Sequence, residues 1–169
     1  MRILLITPPM TQMNSPYPAT PYLKAFLTSL GHETFQMDLG LELILKIFSQ
    51  EGLLRIKAEI KDHSSDSVEF FLEAFDDYLQ TIEPVIHFLK GQDSSLALRL
   101  ANRKLVPEGP RFMALQDHDT LIAKFGEMGL QDQAKYIGSL YLDDIADVIT
   151  QGLDIDFEFS RYGEKLASS

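Results

Sequence analysis

Two short apolar runs, Arg2–Thr7 and Thr34–Met37, carry the strand signal of this chain, and a helix-forming stretch lies between them. Strands joined through a helix run parallel, by a right-handed crossover. A parallel pair needs covered faces and, as a rule, more strands than two. From about residue 53 the pattern turns helical, and only Ile155–Phe159, alternating apolar and acidic, offers a further strand. The chain therefore reads as α/β: an incomplete Rossmann-like βαβα start in residues 1–52, followed by a large, mostly α-helical segment in residues 53–169, an insertion or appendage. A two-stranded parallel sheet is a poor end state, so the pattern implies a fragment whose own missing carboxy-terminal domains finish the sheet, or a homodimer or domain swap that does so.

Local signals place the elements. Pro8-Pro9 ends the first strand, Thr20 is expected to cap the first helix, and Pro21 suits its first turn. Leu23, Phe26, Leu27 and Leu30 then recur at helical spacing, and Gly31 closes the helix in a left-handed position. Leu41–Phe48 reads as a second helix. Val68, Phe71, Leu72, Phe75, Leu79, Ile82, Ile86 and Leu89 describe one long amphipathic helix, with Asp66 and Glu69 resembling a capping box and Pro84 expected to bend or break it. Ser94–Leu105, Thr120–Phe125 and Gln131–Ile149 read as further helices. Gly109-Pro110 punctuates the chain between them, and Gly138 suggests close helix packing.

Composition narrows the function. With 169 residues, 45% of them hydrophobic, the chain is long enough to bury one sizeable core. A formal net charge of -10 repels a phosphate backbone, and Arg99, Arg103 and Lys104 form the only visible basic cluster, so no nucleic-acid partner is expected. The absence of cysteine excludes disulfides, zinc-thiolate sites, thiol nucleophiles and iron–sulfur ligation on this chain. The apolar run Ile3–Ile6 is too short for a signal sequence or a membrane span. The expectation is a cytoplasmic protein with no membrane partner.

The loop TPPMTQMNSPYPATP, which follows the first strand, is the leading candidate for a site, because open α/β sheets bind ligands beyond the carboxyl ends of their strands. It has five prolines and no glycine, so the fingerprint of a pyrophosphate loop is missing. A stiff loop of this kind offers few N–H donors but presents Asn14, Ser15 and Tyr17 to a large flat ligand, beside Thr7, Pro8 and Pro9 at the strand end. It reads equally as an ordered structural loop. Asp38, after the second strand, stands where an acid meets a ribose hydroxyl in dinucleotide folds, and also where it caps the next helix.

The other polar features read as structure. His32 follows the helix-closing Gly31 and suits the helix dipole, whereas His63, His87 and His118 lack ligand spacing. Asp117-His118-Asp119 reads as a solvated helix cap. The pairs Asp76-Asp77 and Asp143-Asp144 read as a solvated acidic face, since the Glu-x-x-His motif of two-metal bundles is missing. No catalytic centre is expected on this chain.

The segments ILLITPP, PYPATPYLKAFLTSLGHE and DLGLE give the opening a family likeness. Together they resemble the amino-terminal region of cobalamin-binding radical S-adenosylmethionine proteins, through Ile3–Pro9, Pro16–Pro18, Gly31–Glu33 and Asp38. The likeness covers about the first quarter of the chain, and GLQDQAKYIGSLYLDDIADVI with FEFSRYGEKL resembles an insertion of one subgroup. It implies cobalamin as cofactor, and a parent enzyme whose iron–sulfur cluster and S-adenosylmethionine sit in the missing remainder, because the CxxxCxxC ligands are absent here. The Asp-x-His-x-x-Gly motif is also missing, which implies a corrin with no protein histidine on cobalt. Two other readings stay open: a fragment of a two-Rossmann nucleotide-sugar glycosyltransferase, which shares RILLITPP-like strands and GHE, and a helical protein-interaction module.

Overall fold

Ile3 and Leu5, with Thr34 beside Ile3, build one face of a two-stranded parallel sheet in the computed structural model, which describes residues 1–8, 18–115, 129–157 and 159. The chain is mixed α/β and mostly helical, and divides into two compact units, one holding Met1–Ile47 and the other Phe48–Phe159. The expected junction at 52/53 falls inside a helix, Gln50–Glu59.

In the first unit, β1 (Arg2–Thr7) pairs in parallel with β2 (Glu33–Asp38), in the register Leu4 to Phe35 and Thr7 to Asp38. Helix α1 (Ala19–Ser29) connects them. Gly31 sits at φ 82° and closes α1 as expected: its N–H donates to the Thr28 carbonyl at 3.0 Å and that of His32 to Leu27 at 3.1 Å. The cap at the other end differs from expectation. Pro18 is the N-cap, without a side-chain bond, and Thr20 lies buried inside the first turn, where its hydroxyl has been drawn towards the sheet. Helix α2 (Leu39–Ile47) starts directly after β2.

One face of this sheet is open. Residues Arg2, Leu4 and Ile6 of β1 and Glu33 and Phe35 of β2 share the side away from Thr7 and Gln36, and Leu4, Ile6 and Phe35 are 50%, 48% and 44% exposed. The ion pair of Arg2 with Glu33 at 3.0 Å, and the Arg2 guanidinium over the Phe35 ring at 5.5 Å, edge that surface with charge.

In the second unit, helices α3 (Gln50–Glu59), α4 (Asp66–Glu73), α5 (Phe75–Leu89) and α6 (Ala97–Ala101) precede the long α7 (Leu130–Gly152), which packs on α4, α5 and α6. The expected long helix is two helices, and the break falls at Ala74 instead of Pro84. The Ala74 carbonyl takes N–H bonds from Asp77 and Tyr78, and the bend lets Phe71 meet both Phe75 and Tyr78, at ring separations of 5.4 and 5.2 Å. Pro84 stays within α5, on a half-buried side where water can serve the carbonyl it leaves without a helical donor. Ser65, not Asp66, caps α4, its hydroxyl accepting from the Val68 N–H at 3.2 Å.

Ser94–Leu105 also departs from one helix. A 3-10 turn at Ser94–Leu96 leads into α6, which ends at Ala101. A second 3-10 turn spans Pro110–Leu115, after the Gly109-Pro110 punctuation. Gly138 does mark close packing, since a Cβ there would lie 3.2 Å from Leu89 Cδ2. Tyr141 stacks on Tyr78 at 5.3 Å and donates its hydroxyl to the Tyr78 carbonyl at 3.1 Å, with Thr81 at the same distance. Burial holds both phenols protonated, well above their ordinary range. The expected strand at Ile155–Phe159 is a turn among its described residues: the Phe157 N–H donates to the Asp154 carbonyl, and Thr150 Oγ1 to the Phe157 carbonyl. The expected helix Thr120–Phe125 and the Asp117-His118-Asp119 motif lie outside the described residues.

Asp144 overturns the reading of a solvated acidic face. It is 1% exposed and takes the N–H groups of Gly109 and Arg111, both at 2.9 Å. Asp147 beside it holds the Arg111 guanidinium, with Nη2 to Oδ1 at 2.7 Å. The pair of carboxylates thus ties the Pro110–Leu115 turn to α7. A Cβ on Gly109 would lie 2.8 Å from Asp144 Cγ, so only glycine fits there. Asp76 and Asp77, by contrast, are exposed in the first turn of α5.

Desolvation pushes the Asp144 carboxyl up from 3.8 to about 6, and Asp147 adds to it, although the two N–H bonds and the Arg111 charge pull it back. A folded value above the unfolded one means stability that is full at low pH and is lost as pH rises through about 6. Ionising Asp144 in place costs on the order of 3 kcal/mol relative to the unfolded chain. Urea unfolding of the native chain and Asp144→Asn should show this between about pH 4 and about pH 6, where the unfolded carboxyl has ionised and the folded one has not, so that the native protein loses stability relative to the variant. Parallel pH profiles would contradict the assignment.

Candidate functional site

The carboxyl ends of β1 and β2 lie side by side, with Thr7 directly opposite Asp38. Thr7 is buried, and its hydroxyl stands 3.5 Å from that of Thr20. Thr20 Oγ1 in turn accepts from Gln36 Nε2 at 3.0 Å, so α1 is fastened to the sheet edge by a chain of hydroxyl and amide groups. At its other end a second fastening joins the Thr28 and Thr34 hydroxyls at 2.8 Å.

Of the two roles the sequence left open for Asp38, the capping one is occupied. Its Oδ1 accepts from the Leu41 N–H at 3.0 Å, at the first turn of α2. Thr7 supports the strand end from within the unit, while Pro8 is exposed just beyond it. The structure thus brings Thr7, Pro8 and Asp38 to one edge. Pro9, Asn14, Ser15 and Tyr17 lie outside the described residues.

Among the described residues this network consists of hydroxyls, one amide and one capping carboxylate. The arrangement holds the carboxyl end of β1 to α1 and β2. Sequence reading missed Thr20 and Gln36 as members. Only Gln36 carried a signal: it shares the α1 side of the sheet with Leu5 and Thr7, where a polar side chain finds a partner on the helix. Among the described residues, no group of three or more His, Asp or Glu side chains is placed to hold a metal ion, and no helix is long and apolar enough to cross a membrane.

Compared with family models, curated proteins and solved structures, the chain matches none.

Thr20→Val keeps the shape of the side chain and removes the acceptor for Gln36. It should destabilise the first unit by about 1–2 kcal/mol, because a part-buried amide is left unpaired. Hydrogen exchange should quicken in Arg2–Thr7 and Glu33–Asp38, with Leu130–Gly152 unchanged. Equal acceleration in both units would contradict a local fastening.

Proposed function

We propose that Met1–Ile47 is the front part of a cofactor-binding α/β domain of the Rossmann-like kind, acting without a catalytic centre of its own inside a cobalamin-dependent radical S-adenosylmethionine enzyme. The observation that carries this reading is the open sheet face. Leu4, Ile6 and Phe35 are half-exposed on a parallel pair, a sheet type that is covered on both faces in finished domains. The occupant that fits is further strands and helices of the same domain. Such an addition would place Thr7, Pro8 and Asp38 at the ligand-bearing edge of a larger sheet.

The likeness of ILLITPP, PYPATP, GHE and the strand-ending Asp38 supports a corrin as the ligand of that edge. The Pro-rich loop after β1, with Pro9, Asn14, Ser15 and Tyr17, would pack against the macrocycle. The cluster and S-adenosylmethionine belong to the remainder of the parent enzyme, since this chain has no cysteine to ligate iron.

Hydroxocobalamin titrated into the protein tests this by visible absorption and by retention of corrin through a desalting column. The expected result is saturable retention without the spectrum of an imidazole on cobalt. No retained corrin would overturn the reading. If sugar nucleotides, and not corrin, raise the melting temperature, the glycosyltransferase alternative takes its place. If light scattering shows a dimer and neither ligand binds, the open face serves association between copies instead.

A further inference from the structure

The second unit contains a cavity of 480 Å³ between α5 and the segment that follows α6. One wall is α5, with Asp77, Gln80, Thr81 and Pro84, and the other carries Arg99 and Lys104. Opposite charges therefore line the same space. They do not pair across it: among the described residues the Asp77, Arg99 and Lys104 side chains form no ion pair within 4.0 Å.

The cationic wall is built by an unusual chain turn. Arg103 follows α6 at φ 56°, in the left-handed region where glycine is usual. Its N–H donates to Leu100 and that of Lys104 to Arg99, at 2.8 and 3.0 Å, so the helix end folds back on itself. This turn brings together the third residue from the end of α6 and the third beyond it, positions commonly filled by apolar side chains. Here they are Arg99 and Lys104. Arg103 itself is locked by two bonds to Glu108, one of them from Nε to Oε1 at 2.7 Å, and by a bond from Nη1 to the Leu115 carbonyl at 3.1 Å. Two like charges are thus held at one rim by a backbone conformation with a steric cost.

The opposite wall is rich in acceptors. Pro84 has no N–H to give the Gln80 carbonyl, and both residues line the cavity beside the Asp77 carboxylate. The floor includes Thr81, which is 9% exposed and fixed by Tyr141. Apolar surface completes the lining at Leu96 and Val106.

We propose that this cavity binds a small zwitterion of the α-amino-acid class, with its carboxylate on Arg99 and Lys104, its ammonium on Asp77 and the Gln80 carbonyl, and an apolar side chain against Leu96 and Val106. Two cations alone would suit any small anion. The unpaired Asp77 carboxylate on the facing wall, in reach of the same ligand, favours a molecule that carries both signs. The volume lies within the range of small-molecule sites.

Isothermal titration of the full chain with leucine, leucinamide, 4-methylpentanoate and inorganic phosphate tests the proposal. Leucine should bind, and the analogues lacking either charge should bind about tenfold more weakly or less. Arg99→Gln with Lys104→Gln should abolish the preference for leucine over leucinamide. Asp77→Asn should abolish the preference for leucine over 4-methylpentanoate. These side chains are exposed and unpaired, and far-ultraviolet circular dichroism should show the variants folded. Phosphate binding more tightly than leucine would overturn the zwitterion in favour of a simple anion. No binding by leucine, phenylalanine or methionine would overturn the site. Corrin binding by the first unit is unaffected in either case, so the two readings fail separately.

Discussion

The second unit depends on the burial of α7. Leu130–Gly152 turns Ala134, Ile137, Tyr141, Ile145, Val148 and Ile149 into the core, and each neighbouring helix is placed by what it offers to that face. Val85 and Leu89 of α5 approach at Gly138, where a Cβ would crowd Leu89 at 3.2 Å. Val68 of α4 approaches at Gly152, whose carbonyl also takes the Lys61 N–H. Polar contacts sit within this apolar frame at few points, and each is answered: the Tyr141 hydroxyl by Tyr78 and Thr81, the Asp144 carboxylate by two backbone N–H groups. Apolar area supplies the association, and these bonds fix the angle and register at which it happens.

Among the described residues the first unit has no helix buried as α7 is. A parallel pair gains its stability from what lies on both faces, and only the α1 side is fastened by the Thr20, Gln36, Thr28 and Thr34 bonds. Its far side relies on Arg2 and Glu33 at the rim. The two units thus differ in kind: one buries a large apolar core, and the other leaves Leu4, Ile6 and Phe35 half-exposed on its sheet.

Much of this was legible from local chemistry. Strand β1, the closing role of Gly31, the capping role open to Asp38 and the packing role of Gly138 each depend on a few adjacent residues or on one missing Cβ. What was illegible depended on distant partners. Thr20 makes as good a cap as any threonine until Gln36 competes for its hydroxyl. The bend at Ala74 answers the aromatic contacts of Phe71, and Pro84 stays in α5 at a half-buried position beside a cavity that Gln80 also lines. Asp144 could not be told from a surface acid, because the groups that bury it come from Gly109 and Arg111, far earlier in the chain. At the candidate site, Thr7 and Asp38 were readable as strand ends, whereas the supporting Thr20 and Gln36 were not.

The turn at Arg103 has a consequence for how the protein can change. Glycine would hold that backbone shape at less cost, but it would also uncouple the shape from Glu108 and Leu115. With arginine there, a residue that does not line the cavity governs the spacing of the two that do. Substitutions at Glu108 can therefore retune the cationic rim while leaving every lining residue in place, which gives variation a route to altered selectivity through the hinge of the wall instead of its surface.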